Sequence, residues 1–248
     1  MHLLEVENLT KRFGGLTAVN NVTFHVDEGE LLGIIGPNGA GKTTLFNIIT
    51  GFLRPDSGTV KFRGEDVTGL EPHKLVNKGV ARTFQVVRPF RHLPVIANVA
   101  VALKSPRGSR KIEWLKTTAR KALDMLEDVG LTDLMLEPAE NIGHGSLKRL
   151  EMARALATEP DALMLDEPFG GLNPLETDFL TKSIQRIHLD HPTRGIVIVE
   201  HKLYALMKIV HRVIVLHEGE KIAEGKPEEI AKNKKVIEVY MGKATLHA

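Results

Sequence analysis

The sequence predicts an α/β fold, and three observations carry that prediction. Apolar runs of strand length stand at Leu31–Ile35, 162–165 and Gly195–Val199, continuous as in parallel strands covered on both faces. Helical spacing fills much of the chain between them. The first run leads directly into GPNGAGKTT at 36–44 and then into the apolar stretch 45–49, which is a strand, a glycine-rich loop and a helix.

The chain has 248 residues, 42% of them apolar and 26% charged, enough for one substantial core or two small ones and too ordinary for disorder. A single domain with sub-lobes is expected. No apolar run reaches the ~20 residues of a membrane helix, and the start MHLLEVENLTKRF has no cleavable signal pattern, so a soluble chain is expected. Zero cysteines exclude disulfides and thiolate metal sites, which leaves a metal to arrive with a ligand. The formal charge of +2 gives no global field for nucleic acid. Lys104, Arg107, Arg110, Lys111, Lys116, Arg120 and Lys121 do crowd one segment. They read as a solvated helix face or as a surface beside anionic lipid, where each basic group is worth ~1 kcal/mol.

In chain order, 3–9 and 18–26 alternate apolar and polar residues as half-buried strands do, with KRFGG between them. Phe13 in that connection is either a core ring or one lying flat on a purine. Gly51 closes the helix after the glycine-rich loop, and RPDSG at 54–58 turns into a hairpin through 59–62 and RGEDV. A β-rich run at 80–84 ends at Gln85, beyond which 86–103 takes helical spacing punctuated by prolines. SPRGS at 105–109 reads as a flexible link, and Ile112, Leu115, Ala119, Ala122, Leu123, Leu126 and Val129 then recur at helical intervals. NIGHGSLKRLEMARAL at 141–156 is a glycine-bearing loop opening an amphipathic helix, a second potential anion site. The strand at 162–165 delivers Asp166 and Glu167 at its C-terminal end, and the strand Gly195–Val199 delivers Glu200 and His201. Ligands collect at that edge of an open parallel sheet. A helix over 174–189, a hairpin of 213–216 and 221–224 around HEGE, and two polar helices from Pro227 complete the chain.

The spelling of the loop has a chemical reason. Gly36, Gly39 and Gly41 let backbone N–H groups turn inward around a polyphosphate, and the helix behind presents its positive end to the anion. Gly36, Pro37, Asn38, Gly39, Ala40, Gly41, Lys42, Thr43 and Thr44 are the candidate nucleotide-binding residues, Lys42 reaching the β- and γ-phosphates and Thr43 the magnesium ion.

Taken together, the phosphate loop, Gln85, the loop before a helix, the Asp-Glu strand end and His201 resemble, over nearly the whole chain, the ATP-binding-cassette (ABC) transporter ATPases. The resemblance implies a P-loop NTPase (RecA-like) core with an antiparallel β subdomain and an inserted α-helical subdomain. The core would be 1–86 and 158–248, and the helical subdomain 87–157. It implies ATP and Mg²⁺ as cofactors, Phe13 as the adenine-stacking aromatic and Gln85 as the lobe-linking glutamine. It further implies Asp166 as the magnesium acid, Glu167 as the general base and His201 as the switch histidine, with Lys42 also catalytic. Thr43, Gln85 and Asp166 would meet the metal. GGLN at 170–173 takes the place of the dimer-contact loop. The LSGGQ-like signature, supplied in trans by a second subunit, falls on Ile142, Gly143, His144, Gly145 and Ser146. Only Gly145 stands unaltered there, and Gly143, Gly145 and Ser146 are its candidate contacts.

RTFQVVRPFRHLPVIANV, DEPFGGLNP, VEHKL and IAEGKPEEI look most like the ATPase subunits of branched-chain amino acid importers. The implied partners are membrane permease subunits and a second ATPase subunit, at the cytoplasmic face of the membrane, with no nucleic acid. A lipid or lipopolysaccharide exporter is the alternative within the family. A small-molecule kinase would share the phosphate loop but give no work to Gln85, Glu167 or the signature-like loop. A nucleic-acid clamp would carry long heptad runs, and none is present.

Overall fold

The computed structural model describes residues 2–109 and 114–241. The long alternating segments at the N-terminus form β1 (His2–Phe13) and β2 (Leu16–Asp27), an antiparallel pair. Next come β3 (Leu31–Ile35) and α1 (Lys42–Ile49), then the hairpin β4 (Ser57–Phe62) and β5 (Glu65–Asp66). Helix α2 (Pro72–Lys78) precedes the short β6 (Val80–Arg82). A helical region follows, with α3 (Val95–Leu103), α4 (Pro106–Ser109), α5 (Trp114–Asp128) and α6 (His144–Leu156). The chain then returns through β7 (Ala162–Asp166), α7 (Pro174–Asp190), β8 (Gly195–Val199) and α8 (Leu203–Met207). It ends in β9 (Arg212–His217), β10 (Glu220–Gly225), α9 (Pro227–Lys232) and α10 (Lys234–Met241).

Two sheets result. The first is antiparallel in the order β2-β1-β4-β5, and the second runs β10-β9-β3-β8-β7-β6 and is parallel except for β10. The period of two along each parallel strand divides its side chains between two cores. Leu31, Ile35, Leu163, Leu165, Ile196 and Ile198 face the helical region, where they meet Val99, Leu126, Leu150 and Ile184. Leu32, Ile34, Met164, Val197 and Val199 face the other way, against α1 and the antiparallel sheet. Every residue of β3, β7 and β8 is buried; Asp166, the charge at the end of β7, has Arg82 as its partner at 2.7 Å, and a charge earlier in these strands would sit unpaired in a dry layer.

Several expectations need correction. The 105–109 segment is a turn of helix rather than a flexible link, because Arg107 pins it with donations to the carbonyls of Glu159 (3.0 Å) and Lys78 (3.1 Å) and to Asp161 Oδ2 (2.5 Å). Of the basic crowd, Lys121 is partly spent on the half-buried Glu159 (2.9 Å), whereas Arg120 pairs with Asp124 (3.3 Å) on the solvated face of α5, as a solvated helix face would have it. Arg110, Lys111 and Ile112 lie outside the described residues, as do the side chains of Leu115 and Lys116. Helical spacing from 86 produces a helix only from Val95, after Pro94. The tail helices are polar on one side only, since Ile230 and Val236 are buried and Tyr240 packs on the same core. Helices α2 and α8 add to the elements that the sequence pattern predicts. Among the described residues no helix is long and apolar enough to cross a membrane.

Candidate functional site

The C-terminal ends of β3, β7 and β8 bring the site together. After β3 the chain turns at Gly36, whose φ is +155° and where an added Cβ would lie 2.2 Å from the Leu216 carbonyl oxygen; Gly41, φ +97°, meets the Ala18 carbonyl at the same distance. Only glycine fits either place. Gly41 is the N-cap of helix α1 and offers no side chain, so among the described residues no side-chain cap holds the first N–H groups of the helix. Lys42, 7% exposed as a residue, donates through its ammonium to the carbonyls of Gly36 (2.6 Å) and Pro37 (2.9 Å). Burial pushes its pKa down, while Glu167, Asp166 and Glu200 pull it back up. A polyphosphate would supply the countercharge this ammonium lacks.

A cavity of about 690 Å³ opens over this loop. It is lined by Phe13, Leu16, Asn38, Gly39, Ala40, Gly41, Lys42, Thr43, Thr44 and Glu167. Phe13 stands at its mouth, 47% exposed, which removes the core reading of that ring and leaves a face for a planar ligand. A second cavity of about 600 Å³ on the lobe side is lined by Thr43, Gln85 and Asp166 together with Phe52, Phe84 and Arg82. A hydroxyl, an amide and a carboxylate are a hard-oxygen donor set, and it suits Mg²⁺.

Glu167 is the meeting point. Its Oε2 accepts the Gln85 side-chain amide at 2.8 Å and lies 3.7 Å from His201 Nδ1. Its backbone is held at φ +46°, a left-handed conformation for a non-glycine residue, by an N–H bond to the Val199 carbonyl (2.9 Å). The fully buried Glu200 shapes what surrounds it, accepting from the N–H groups of Phe169 (2.7 Å), His201 (2.8 Å) and Lys202 (2.9 Å). One carboxylate thereby fixes both the loop after β7 and the turn carrying His201.

The signature stretch lies elsewhere. Gly143, Gly145 and Ser146 line neither cavity at the phosphate loop. Gly143 caps α6 with no side-chain bond, and His144 rests on the 170–173 loop, its Nε2 3.3 Å from the Gly170 oxygen. Gly145 is buried, and a Cβ there would come within 2.3 Å of Glu176 Oε1. The chain therefore brings together Lys42, Thr43, Gln85, Asp166, Glu167 and His201, and leaves the signature stretch apart from them, with Gly143 and His144 exposed and Ile142 and Gly145 buried.

Three residues escaped the sequence reading. Lys148, buried, donates to the carbonyls of Gln85 (2.8 Å) and Glu167 (3.2 Å), tying α6 to both. Glu151 accepts the Phe84 N–H (2.9 Å). Arg82 pairs with Asp166 at 2.7 Å, both side chains under a tenth exposed. Only Arg82 left a trace in the sequence, as a charge inside the β-rich run VARTF.

A family profile described as ABC transporter matches residues 19–170, and one described as branched-chain amino acid ATP-binding cassette transporter matches 220–245. The chain is 42% identical over 252 residues to the high-affinity branched-chain amino acid transport ATP-binding protein BraF of Pseudomonas aeruginosa, with 98% of each chain covered. It is 43% identical, with the same coverage, to the LivG protein of that description from Salmonella typhimurium. Among solved structures, the ADP conformation of an ATP-binding cassette of an ABC transporter superposes with a TM-score of 0.87 at 32% identity, covering 98% of this chain and 100% of that one.

Proposed function

The chain belongs to the ATP-binding subunits of ABC transporters, and from that premise we propose that it powers uptake of branched-chain or related amino acids through separate membrane permease subunits. The observation that carries the catalytic reading is the convergence of Gln85 and His201 on one oxygen of Glu167, beside the phosphate-loop cavity.

Phe13 stacks the adenine, and the backbone from Gly36 to Thr44 cradles the phosphates. Lys42 exchanges its loop carbonyls for the β- and γ-phosphates. Thr43, Asp166 and Gln85 would hold Mg²⁺, which neutralises phosphate charge when bound. Glu167 takes a proton from the attacking water, Gln85 fixes the carboxylate by its amide, and His201 faces the γ-phosphate from the β8 end. Phosphoryl transfer to water needs these three functions and little covalent chemistry.

One face of this site is open to solvent, and a second ATPase subunit closes it with the start of its own α6. The uncapped N–H groups behind Gly143, with Gly145 and Ser146, serve the partner's phosphates in return. Residues 1–86 and 158–248 act as the nucleotide core and 87–157 as the lobe that meets the permease. The docking face is the apolar-rich stretch 89–99 next to Gln85, where Phe90, 45% exposed, packs on Arg154, a residue that lines the groove rimmed by Phe52, Phe84 and Val86. The complex sits at the cytoplasmic face of the membrane.

Reconstitution with permease and binding protein in ATP-loaded vesicles tests the whole reading. Leucine uptake is expected, lost in Glu167→Gln and lost in Phe90→Glu with basal hydrolysis retained. Hydrolysis that never drives uptake of a branched-chain amino acid would reject the transport assignment.

A further inference from the structure

Arg82 is the last residue of β6, and its guanidinium reaches three elements at once. One arm donates to Asp166 Oδ2 at 2.7 Å; the other donates to Asn47 Oδ1 (2.7 Å) and Thr50 Oγ1 (2.8 Å) at the end of α1. The rings of Phe46, Phe52 and Phe84 surround the guanidinium, with centroids 5.2–5.4 Å from its carbon. The Arg82 side chain is 7% exposed and that of Asp166 4%, and Arg82 Nε is buried without a partner. Thr83, the next residue, accepts the Asp166 N–H through its hydroxyl at 3.2 Å.

Charge alone does not account for this arrangement. A fixed cation beside a carboxylate weakens that carboxylate's attraction for a second cation, so countercharge would make Asp166 a poorer metal ligand. The planar fork does something a point charge cannot. It spans from Asp166 to the Asn47–Thr50 pair, locks one carboxylate oxygen and leaves the other to turn toward Thr43.

We propose that Arg82 is a positioning residue for the metal-binding carboxylate of Asp166, clamped between α1 and the aromatic cluster of the lobe-side groove. The inference rests on the reading of Asp166 as a magnesium ligand. Partners that orient a ligating carboxylate typically carry 10–100-fold of metal affinity. Phe52 and Phe84 are half exposed and hold the guanidinium from the groove side, so an occupant of the groove acts on the metal ligand through a single side chain.

The test uses Mn²⁺ as the probe, with free Mn²⁺ measured by electron paramagnetic resonance on the full chain at saturating ADP, beside ADP binding in EDTA. Arg82→Lys keeps the charge and loses the fork; it should weaken Mn²⁺ binding about 10–100-fold while changing ADP binding in EDTA less than about twofold. Asn47→Ala, which leaves Arg82 in place and takes one of the two acceptors from its second arm, should weaken Mn²⁺ about threefold or more, and it decides the matter if Arg82→Lys does not fold. Wild-type Mn²⁺ affinity in the folded variants, or an equal loss of ADP binding in EDTA, overturns the proposal. Asp166→Asn separates the two readings: if it too leaves Mn²⁺ affinity unchanged, the magnesium assignment itself fails.

Discussion

Helices α1 and α6 both begin behind a glycine-bearing loop with no side-chain cap, yet they are built to different depths. The loop before α1 is wedged against backbone on two sides, at Gly36 and Gly41, and holds a buried lysine. The loop before α6 is exposed at Gly143, where a Cβ would meet nothing within 4 Å, and the glycine in the first turn of α6, Gly145, is crowded only by the Glu176 side chain and by no backbone. The first is a site prepared by its own fold. The second is a surface that its own fold leaves open at Gly143.

The largest effects should therefore fall on the α1 side. Lys42→Ala removes ground-state phosphate contacts and should abolish tight ATP binding. Glu167→Gln should leave ATP binding intact and slow hydrolysis about 10²–10⁴-fold, since it removes only proton acceptance. Nucleotide binding and single-turnover hydrolysis measured on both variants check this. Unchanged turnover in Glu167→Gln would return both loops to equal standing.

Next in size is the inequality between composite sites in a heterodimer whose sibling carries a fuller signature. The site built on Lys42 and Glu167 of this chain receives the sibling's hydroxyl and amide donors. The opposite site receives Gly143 where a hydroxyl residue would stand, and lacks a hydrogen bond to charged phosphate worth about 1.5–3 kcal/mol. Glu167→Gln in this chain should cost at least about tenfold more transport than the matching change in the sibling. Equal losses would dissolve the comparison.

The legibility of the two helix starts differs for the same reason. Loop, strand and helix at 31–49 follow from local rules, because glycine spacing, an apolar run and a lysine each state their own requirement. The strand ends at Asp166, Glu167 and His201 were legible through burial patterning. Arg82, Lys148, Glu151 and the bridging work of Glu200 were not, because their partners lie 31 to 84 residues away or reach backbone atoms that no side-chain pattern encodes. Arg107 turned an apparent linker into an anchored helix in the same way. The signature-like stretch is named by resemblance, and local rules alone say only that a helix begins there.

A smaller effect probes how α6 is rooted. Glu151 is 5% exposed, and burial pushes its pKa up to about 7 against the opposing Phe84 N–H and Lys148. The folded chain then binds this proton more tightly than the unfolded chain does. Its contribution to stability is full below about 4.5 and is lost as pH rises through about 7, on the order of 3 kcal/mol at most. Urea unfolding at several pH values should show that decline in the wild type and a flatter profile in Glu151→Gln. A rise in stability over the same window would place the charged form in the native state.

The smallest effect concerns α7, which shows what a helix start looks like when the chain satisfies it unaided. Asn173 Oδ1 accepts the Glu176 N–H and Glu176 Oε2 accepts the Asn173 N–H, both at 2.9 Å, a complete capping box. The same Glu176 side chain lies against Gly145, so the cap of α7 also sets where α6 begins. Asn173→Ala should cost about 1 kcal/mol of stability, a fall of about 2–4 °C in Tm. It should also lower activity more in the composite site that uses this chain's α6 than in the site that uses its α1, because only the former reads the position of Gly145. Calorimetry paired with the site-specific Glu-to-Gln backgrounds separates the two outcomes. An equal loss in both sites would mean that α6 is held by its buried face alone, through Leu150 and Ala153, and owes nothing to its neighbour's cap.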